Sequence, residues 1–226
     1  APIEVTNMRM RKKKNGAARL AAVSHLLCAR PDTPITDARA DFGNERELRL
    51  EIGCGKGDFA CGIAEQNPDI NIIAMERVSD VACLALEKAM SRAESRPDNL
   101  RFIIGDAKNL TEWFPEHSLD GIYLNFSDPW PKARHAKRRL TYRAMLERFK
   151  NLLSENGKIE FKTDNRDLFD FSLEEFAEAG YILENVTFDL HASEWAKDNI
   201  VTEYEANFSA KGFKINRLEA YLPKKA

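Results

Sequence analysis

Four carboxylates punctuate the chain at the ends of apolar runs, and their spacing suits a ligand that carries hydroxyls, an amine and positive charge. Glu51 stands in Leu48-Arg49-Leu50-Glu51-Ile52, directly ahead of Gly53-Cys54-Gly55-Lys56-Gly57. Glu76 closes the run Ile70 to Met75, Asp106 follows Leu100 to Ile104, and Asp128 follows Leu119 to Phe126. Gly53, Gly55 and Gly57 let the backbone turn tightly and approach a ligand with no Cβ in the way. A carboxylate at the end of the neighbouring strand accepts both hydroxyls of a ribose, which assigns Glu76 to a sugar and places Asp106 near the amino group of an adenine.

Two common phosphate-binding readings fail on single residues. A dinucleotide fingerprint needs glycine where Asp58 stands, and a pyrophosphate would then lie among repelling carboxylates. In a Walker loop Ser or Thr follows the lysine, but here Gly57 follows Lys56. The acidic ring favours S-adenosylmethionine, which has the hydroxyls, the amine and the positive charge. Asp128 sits in Asn125-Phe126-Ser127-Asp128-Pro129-Trp130-Pro131-Lys132, a loop stiffened by two prolines, with Trp130 as a stacking surface or a hydrophobic plug. Directly behind it, Arg134-His135-Ala136-Lys137-Arg138-Arg139 is dense enough in positive charge to contact phosphates.

The elements that must hold these residues alternate strand and helix. Apolar runs at 48–52, 70–75, 100–104, 119–126 and 157–163 are separated by helical segments near 57–66, 78–95, 139–153 and 165–179, the pattern of a parallel α/β sheet. Asn165 is placed to cap the last of these helices and Gly180 to stop it. Beyond it, runs at 181–190 and 202–209 have only a polar segment between them, so they are expected to pair antiparallel at the end of the sheet. Ahead of residue 45 lie a basic cluster, Arg9 to Lys14, an Ala- and Leu-rich helical stretch near 16–28, and a Pro-containing linker at 31–34. The division expected is an N-terminal basic arm and helical extension over 1–45 and one catalytic domain over 46–226. Met8 is a candidate start.

Composition narrows the class further. The 226 residues suffice for one large domain, and the net charge of −2 conceals the two basic clusters, which can bind where the average predicts nothing. Cys28, Cys54, Cys61 and Cys83 form no CxxC pair and no ligand spacing with histidine, so neither a disulfide framework nor a metal site is indicated. No apolar stretch reaches the roughly 18 residues needed to span a bilayer, so the expectation is a cytoplasmic protein with no membrane partner. Monomer and homodimer both stay open.

Taken together, Glu51 to Gly57, Phe126-Ser127-Asp128-Pro129-Trp130-Pro131-Lys132, Arg134 to Arg139 and Thr202-Glu203-Tyr204-Glu205 closely resemble the bacterial tRNA (guanine-N7-)-methyltransferase family. The likeness covers most of the chain from Leu48 to Glu205. It implies an α/β, Rossmann-like class I methyltransferase fold: a mostly parallel seven-stranded sheet, helices on both faces and an antiparallel C-terminal strand pair. S-adenosylmethionine would be the donor, tRNA the partner, and guanine at position 46 of the variable loop the target. Carried over by position, the resemblance makes Glu51, Glu76, Asp106 and Asp128, with the glycines between 53 and 57, donor-site residues. It makes Asp128 the catalytic residue as well. Lys132, Asp164, Thr202 and Glu205 would contact substrate, and Arg134, His135, Lys137, Arg138 and Arg139 would touch RNA. Asp164 has helix capping as its plainer alternative, and a regular strand would point Thr202 and Glu205 to opposite faces. The rival functions are an adenine exocyclic-amino methyltransferase, whose usual motif has a second proline where Trp130 stands, and a non-catalytic tRNA-binding module.

Overall fold

A computed structural model describes residues 15–28, 36–92 and 97–225. The basic cluster at 9–14, the linker at 31–34 and Met8 lie outside the described residues. Seven strands form one sheet: β1 (Leu48–Ile52), β2 (Asn71–Glu76), β3 (Leu100–Ile104), β4 (Leu119–Asn125), β5 (Leu153–Thr163), β6 (Ile182–Thr187) and β7 (Asn216–Tyr221). Their order across the sheet is β3-β2-β1-β4-β5-β7-β6. β1 to β5 run parallel, and β7 is antiparallel to both of its neighbours. The order reverses between β1 and β4, so a crevice opens at the carboxyl ends of these two strands, where open α/β sheets bind ligands.

Helices α1 (Gly16–Val23), α2 (Asp58–Gln66), α3 (Ser79–Arg92), α4 (Arg143–Leu152), α5 (Arg166–Glu178) and α6 (Glu203–Ala210) surround the sheet. Side chains alternate across each strand, which splits the core in two. Leu48, Leu50, Ile52, Ile122, Leu124 and Phe161 pack with Leu146 and Phe149 of α4 and with Phe169 and Phe176 of α5. Ile72, Ala74 and Tyr123 pack on the other face with Phe59 and Ile63 of α2 and with Ala85 and Leu86 of α3. This alternation buries Glu51 on the second face, since its neighbours Leu50 and Ile52 claim the first.

The C-terminal expectation needs correcting. The last strand pair is β6 with β7, and where a strand was expected over 202–209 the chain forms α6, Glu203–Ala210. Thr202 caps this helix, its Oγ1 accepting a hydrogen bond from the Glu205 amide at 3.1 Å, the first half of a capping-box pattern. Tyr204 and Phe208, one turn apart, stack at 4.4 Å. β-branched and aromatic residues there imitate a strand, but their period is helical. β7 escapes notice because its outward positions are charged: Arg217 bonds Glu160 at 2.7 Å, and Glu219 bonds Lys158 at 2.6 Å, on the polar face of the sheet. Asn165 does cap α5, accepting from the Leu168 amide at 2.8 Å, and Gly180 follows the helix at φ 84°.

Candidate donor and base site

Two adjoining cavities, of about 320 and 430 Å³, lie over the carboxyl ends of β1, β2 and β4 and share Gly53, Asn125 and Phe126 in their walls. Glu76, Gly105, Asp106, Asp128, Trp130 and Arg138 line the first. Glu51, Gly55, Lys56, Thr202 and Tyr204 line the second. Glu76 and Asp128, 52 positions apart in sequence, therefore face one space.

Local structure explains how each wall is held. Gly53 and Gly55 have φ of 77° and 54°, and a Cβ at either would meet nothing, so the loop is tightly turned on its protein side and open on the other. Gly57 is different: a Cβ there would come within 2.9 Å of Ala85, so this glycine lets α2 and α3 close together. One oxygen of Glu76 accepts from the amides of Arg77 at 2.8 Å and Val78 at 3.4 Å, which fixes the carboxylate at the end of β2. Asp106 likewise accepts from the Lys108 amide at 3.0 Å.

Glu51 is 2% exposed; one oxygen accepts from Asn125 Nδ2 at 2.9 Å and the other is buried with no hydrogen-bond partner among the described residues. Burial pushes its pKa up to about 8, against the opposing pull of the Asn125 hydrogen bond and the Lys162 charge. An unsatisfied buried acceptor is costly, and one in the wall of a cavity is a ready place for a ligand's ammonium group.

Asp128 is exposed at the tip of a strained loop. Phe126 and Trp130, on either side of it, have φ of 55° and 45° although neither is glycine. Such residues cost of order 1–3 kcal/mol and persist only where their surroundings hold them. Here the Phe126 amide bonds the Lys162 carbonyl at 2.9 Å, while Arg139 donates to the carbonyls of Pro129 at 3.0 Å and Trp130 at 2.9 Å. The Arg139 guanidinium also covers the Phe171 ring at 4.4 Å. Arg139 was expected among the RNA contacts; its Nε and Nη2 hold the carbonyls of this loop. Arg138 remains exposed, stacked over Trp130 at 5.0 Å, and His135 meets the same ring edge-on at 5.8 Å. Lys132, Arg134 and Lys137 are exposed beside them.

Glu205 takes a buried position. Expected to touch substrate, it is 0% exposed and lines neither cavity. Its oxygens meet Lys162 Nζ at 2.7 Å, His191 Nε2 at 2.9 Å and Asn199 Nδ2 at 2.9 Å. Thr202 lines the second cavity, and Asp164 joins it indirectly by accepting from the Tyr204 hydroxyl at 3.2 Å. Sequence reasoning gave no individual role to Lys162, Asn125 or Phe126, and included Tyr204 only within the segment Thr202 to Glu205. Lys162 bonds Asn199 Oδ1 at 2.9 Å and the Ile200 carbonyl at 2.8 Å, and it lies over the rings of Phe59 and Phe126. The signal was available: a lysine in an otherwise apolar strand end needs a buried carboxylate elsewhere.

A strand order of 3-2-1-4-5-7-6 with β7 reversed, a glycine loop after β1 and acidic residues at successive strand ends define a class I methyltransferase. Comparison with known proteins agrees. Residues 45–218 match the family described as putative methyltransferase. A tRNA (guanine-N(7)-)-methyltransferase of Brevibacillus brevis is 49% identical over 179 residues, 79% of this chain and 82% of its own length. Its counterpart in Streptococcus equi subsp. zooepidemicus is 45% identical over 213 residues, 94% and 99% of the two chains. Among solved structures, the 16S rRNA methyltransferase KamB aligns with a TM-score of 0.62 at 14% identity over 84% of this chain and 96% of that one, a likeness of fold alone. The chain belongs to the tRNA (guanine-N(7)-)-methyltransferase family.

Proposed function

We propose that the protein methylates N7 of guanine in tRNA, at position 46 of the variable loop, with S-adenosylmethionine as donor and residues 46–226 as the catalytic domain. The observation that carries this reading is the shared cavity of Glu76 and Asp128, continuous with the cavity in which Glu51 has an unpaired oxygen. The residues fit the donor. Glu76 would take the ribose hydroxyls, Asp106 the adenine amino group, and the free Glu51 oxygen the ammonium group, with the Gly53–Gly55 backbone lying against the chain between them. S-adenosylmethionine, when bound, supplies an electrophilic methyl group on a sulfonium.

Guanine N7 holds an in-plane lone pair and loses no proton on methylation, so the protein needs no strong base. Orientation dominates, and holding two reactants in line is worth roughly 7–11 kcal/mol of barrier. Asp128 would accept from guanine N1–H and the 2-amino group, turning N7 toward the donor cavity. Its negative charge also stabilises the positive charge that develops on the purine. Thr202, Asp164 and Lys132 would complete the substrate contacts. Arg134, His135, Lys137 and Arg138 would hold the backbone beside the Asp128 loop, while Arg139 keeps that loop in shape. The target base must leave its stack to enter the cavity.

Nucleoside mass spectrometry of unmodified tRNA, after incubation with the protein and isotope-labelled donor, tests the reading. Labelled 7-methylguanosine is the expected product. Label on an exocyclic adenine nitrogen, or none in any nucleoside, would overturn it.

A further inference from the structure

From the wall of the second cavity, a row of aromatic rings leads to the surface. Phe126 contacts Tyr204 at 4.8 Å, Tyr204 stacks on Phe208 at 4.4 Å, and Phe208 meets Phe213 at 5.5 Å. Tyr204 is 44% and Phe213 52% exposed, with Phe208 half-buried between them. Phe213 is nevertheless fixed. Gly212, at φ 86°, turns the chain at the end of α6, its amide bonds the Ser209 carbonyl at 3.0 Å, and the Phe213 amide bonds the Phe208 carbonyl at 3.1 Å. A single exposed phenylalanine is ordinary. This one lies between Lys211 and Lys214, both exposed, and neither of them has a carboxylate within ion-pair reach among the described residues. The Lys211 ammonium lies over the Phe208 ring, 5.4 Å from its centroid.

An exposed ring on a hydrogen-bonded backbone turn, flanked by lysines with no ion-pair partner among the described residues, matches single-stranded nucleic acid, whose bases stack on aromatic faces and whose phosphates seek cations. Its position adds direction. The basic turn Ala133–Arg138 borders the first cavity through Arg138, whereas α6 borders the second through Thr202 and Tyr204. The two cationic surfaces therefore flank the site from different sides.

We propose that Phe213, Lys211 and Lys214 form a second RNA contact, in which a base near the target guanine in the same strand stacks on Phe213 and its phosphates meet the two lysines. This rests on the tRNA reading above and extends it to a surface that the motif residues do not include. A strand held on both sides of the extruded base stays unstacked at the target, which lowers the cost of presenting guanine to Asp128.

The test is fluorescence anisotropy of unmodified tRNA with the full chain over a series of salt concentrations. Stacking worth about 1–3 kcal/mol per base predicts roughly a 5- to 150-fold loss of affinity in Phe213→Ala. Phe213→Leu, which keeps apolar cover over Phe208, is expected to lose as much, and Phe213→Trp to retain binding. Lys211→Ala/Lys214→Ala should lower the salt slope by about 1.4–1.8. Unchanged donor titration confirms that each variant is folded. Wild-type affinity in Phe213→Leu together with an unchanged slope in the double lysine variant would overturn the second contact while leaving the function intact. Absence of tRNA binding by the wild-type protein would instead remove the functional reading itself.

Discussion

Lys162 Nζ lies 2.7 Å from Glu205 Oε1, with 4% and 0% of the two side chains exposed. This pair ties β5 to α6 beneath the cavity wall that Thr202 and Tyr204 form. Removing one partner leaves a buried charge uncompensated, so Glu205→Ala is expected to cost about 3–5 kcal/mol of folding stability. Replacing both, as Lys162→Met/Glu205→Leu, should recover much of the stability but not the turnover, because Phe126 and α6 lose their common anchor. Urea unfolding and initial rates on the same samples separate the two effects. A Glu205→Ala variant of wild-type stability with weakened tRNA binding would return Glu205 to the role of a substrate contact.

Glu51 sets a pH dependence. Burial raises its pKa from an ordinary 4.5 to about 8, so the folded chain keeps a proton that the unfolded chain releases. Its contribution therefore makes stability fall as pH rises between those values, and Glu51→Gln is expected to flatten that slope. Donor binding should release a proton near neutral pH, since an ammonium group at Glu51 favours the carboxylate. Calorimetry in buffers of different ionisation enthalpy measures this release. Equal release by wild type and Glu51→Gln would remove Glu51 from the donor site.

Asp128→Ala should keep donor affinity close to wild type while turnover falls by about 10²–10³, the usual cost of deleting an electrostatic partner of the transition state. Donor titration and single-turnover rates at saturating tRNA make the comparison. A near-wild-type rate would take Asp128 out of the reaction.

Neighbouring arginines are expected to behave differently. Arg138, exposed over Trp130, should lower the salt slope of tRNA binding by about 0.7–0.9 when changed to alanine. Arg139, bonded to the Pro129 and Trp130 carbonyls, should leave the slope unchanged and reduce turnover, because the Asp128 loop relaxes. Equal slopes for the two variants would mean that their roles are not divided.

Most of the parallel half of the fold was legible because its signals are local. β1 and β3 have the expected limits of 48–52 and 100–104, and each glycine or cap that ends an element lies beside it in sequence. The carboxylates of the site were legible for the same reason, since each ends a strand. What stayed hidden depends on contacts far apart in the chain. Glu205 is placed by Lys162, 43 positions away in sequence, and Arg139 by carbonyls of a loop that its own composition advertised as free for RNA. α6 was misread although Thr202 and Glu205 stand in capping-box spacing, because Val201, Tyr204 and Phe208 suit a strand equally well. β7 was overlooked because Arg217 and Glu219 alternate with Leu218 and Ala220 and break up any apolar run, and their partners, Glu160 and Lys158, lie on β5.

In the proposed reaction one trough brings a methyl donor, held at Glu51 and Glu76, to N7 of a guanine held at Asp128. Reductive strand scission, which cuts RNA at 7-methylguanosine, reads this directly on unmodified tRNA treated with protein and donor. One new cut is expected, in the variable loop at guanine 46, absent with Asp128→Ala. Methyl incorporation with no cut, or cuts scattered over many guanines, would contradict it.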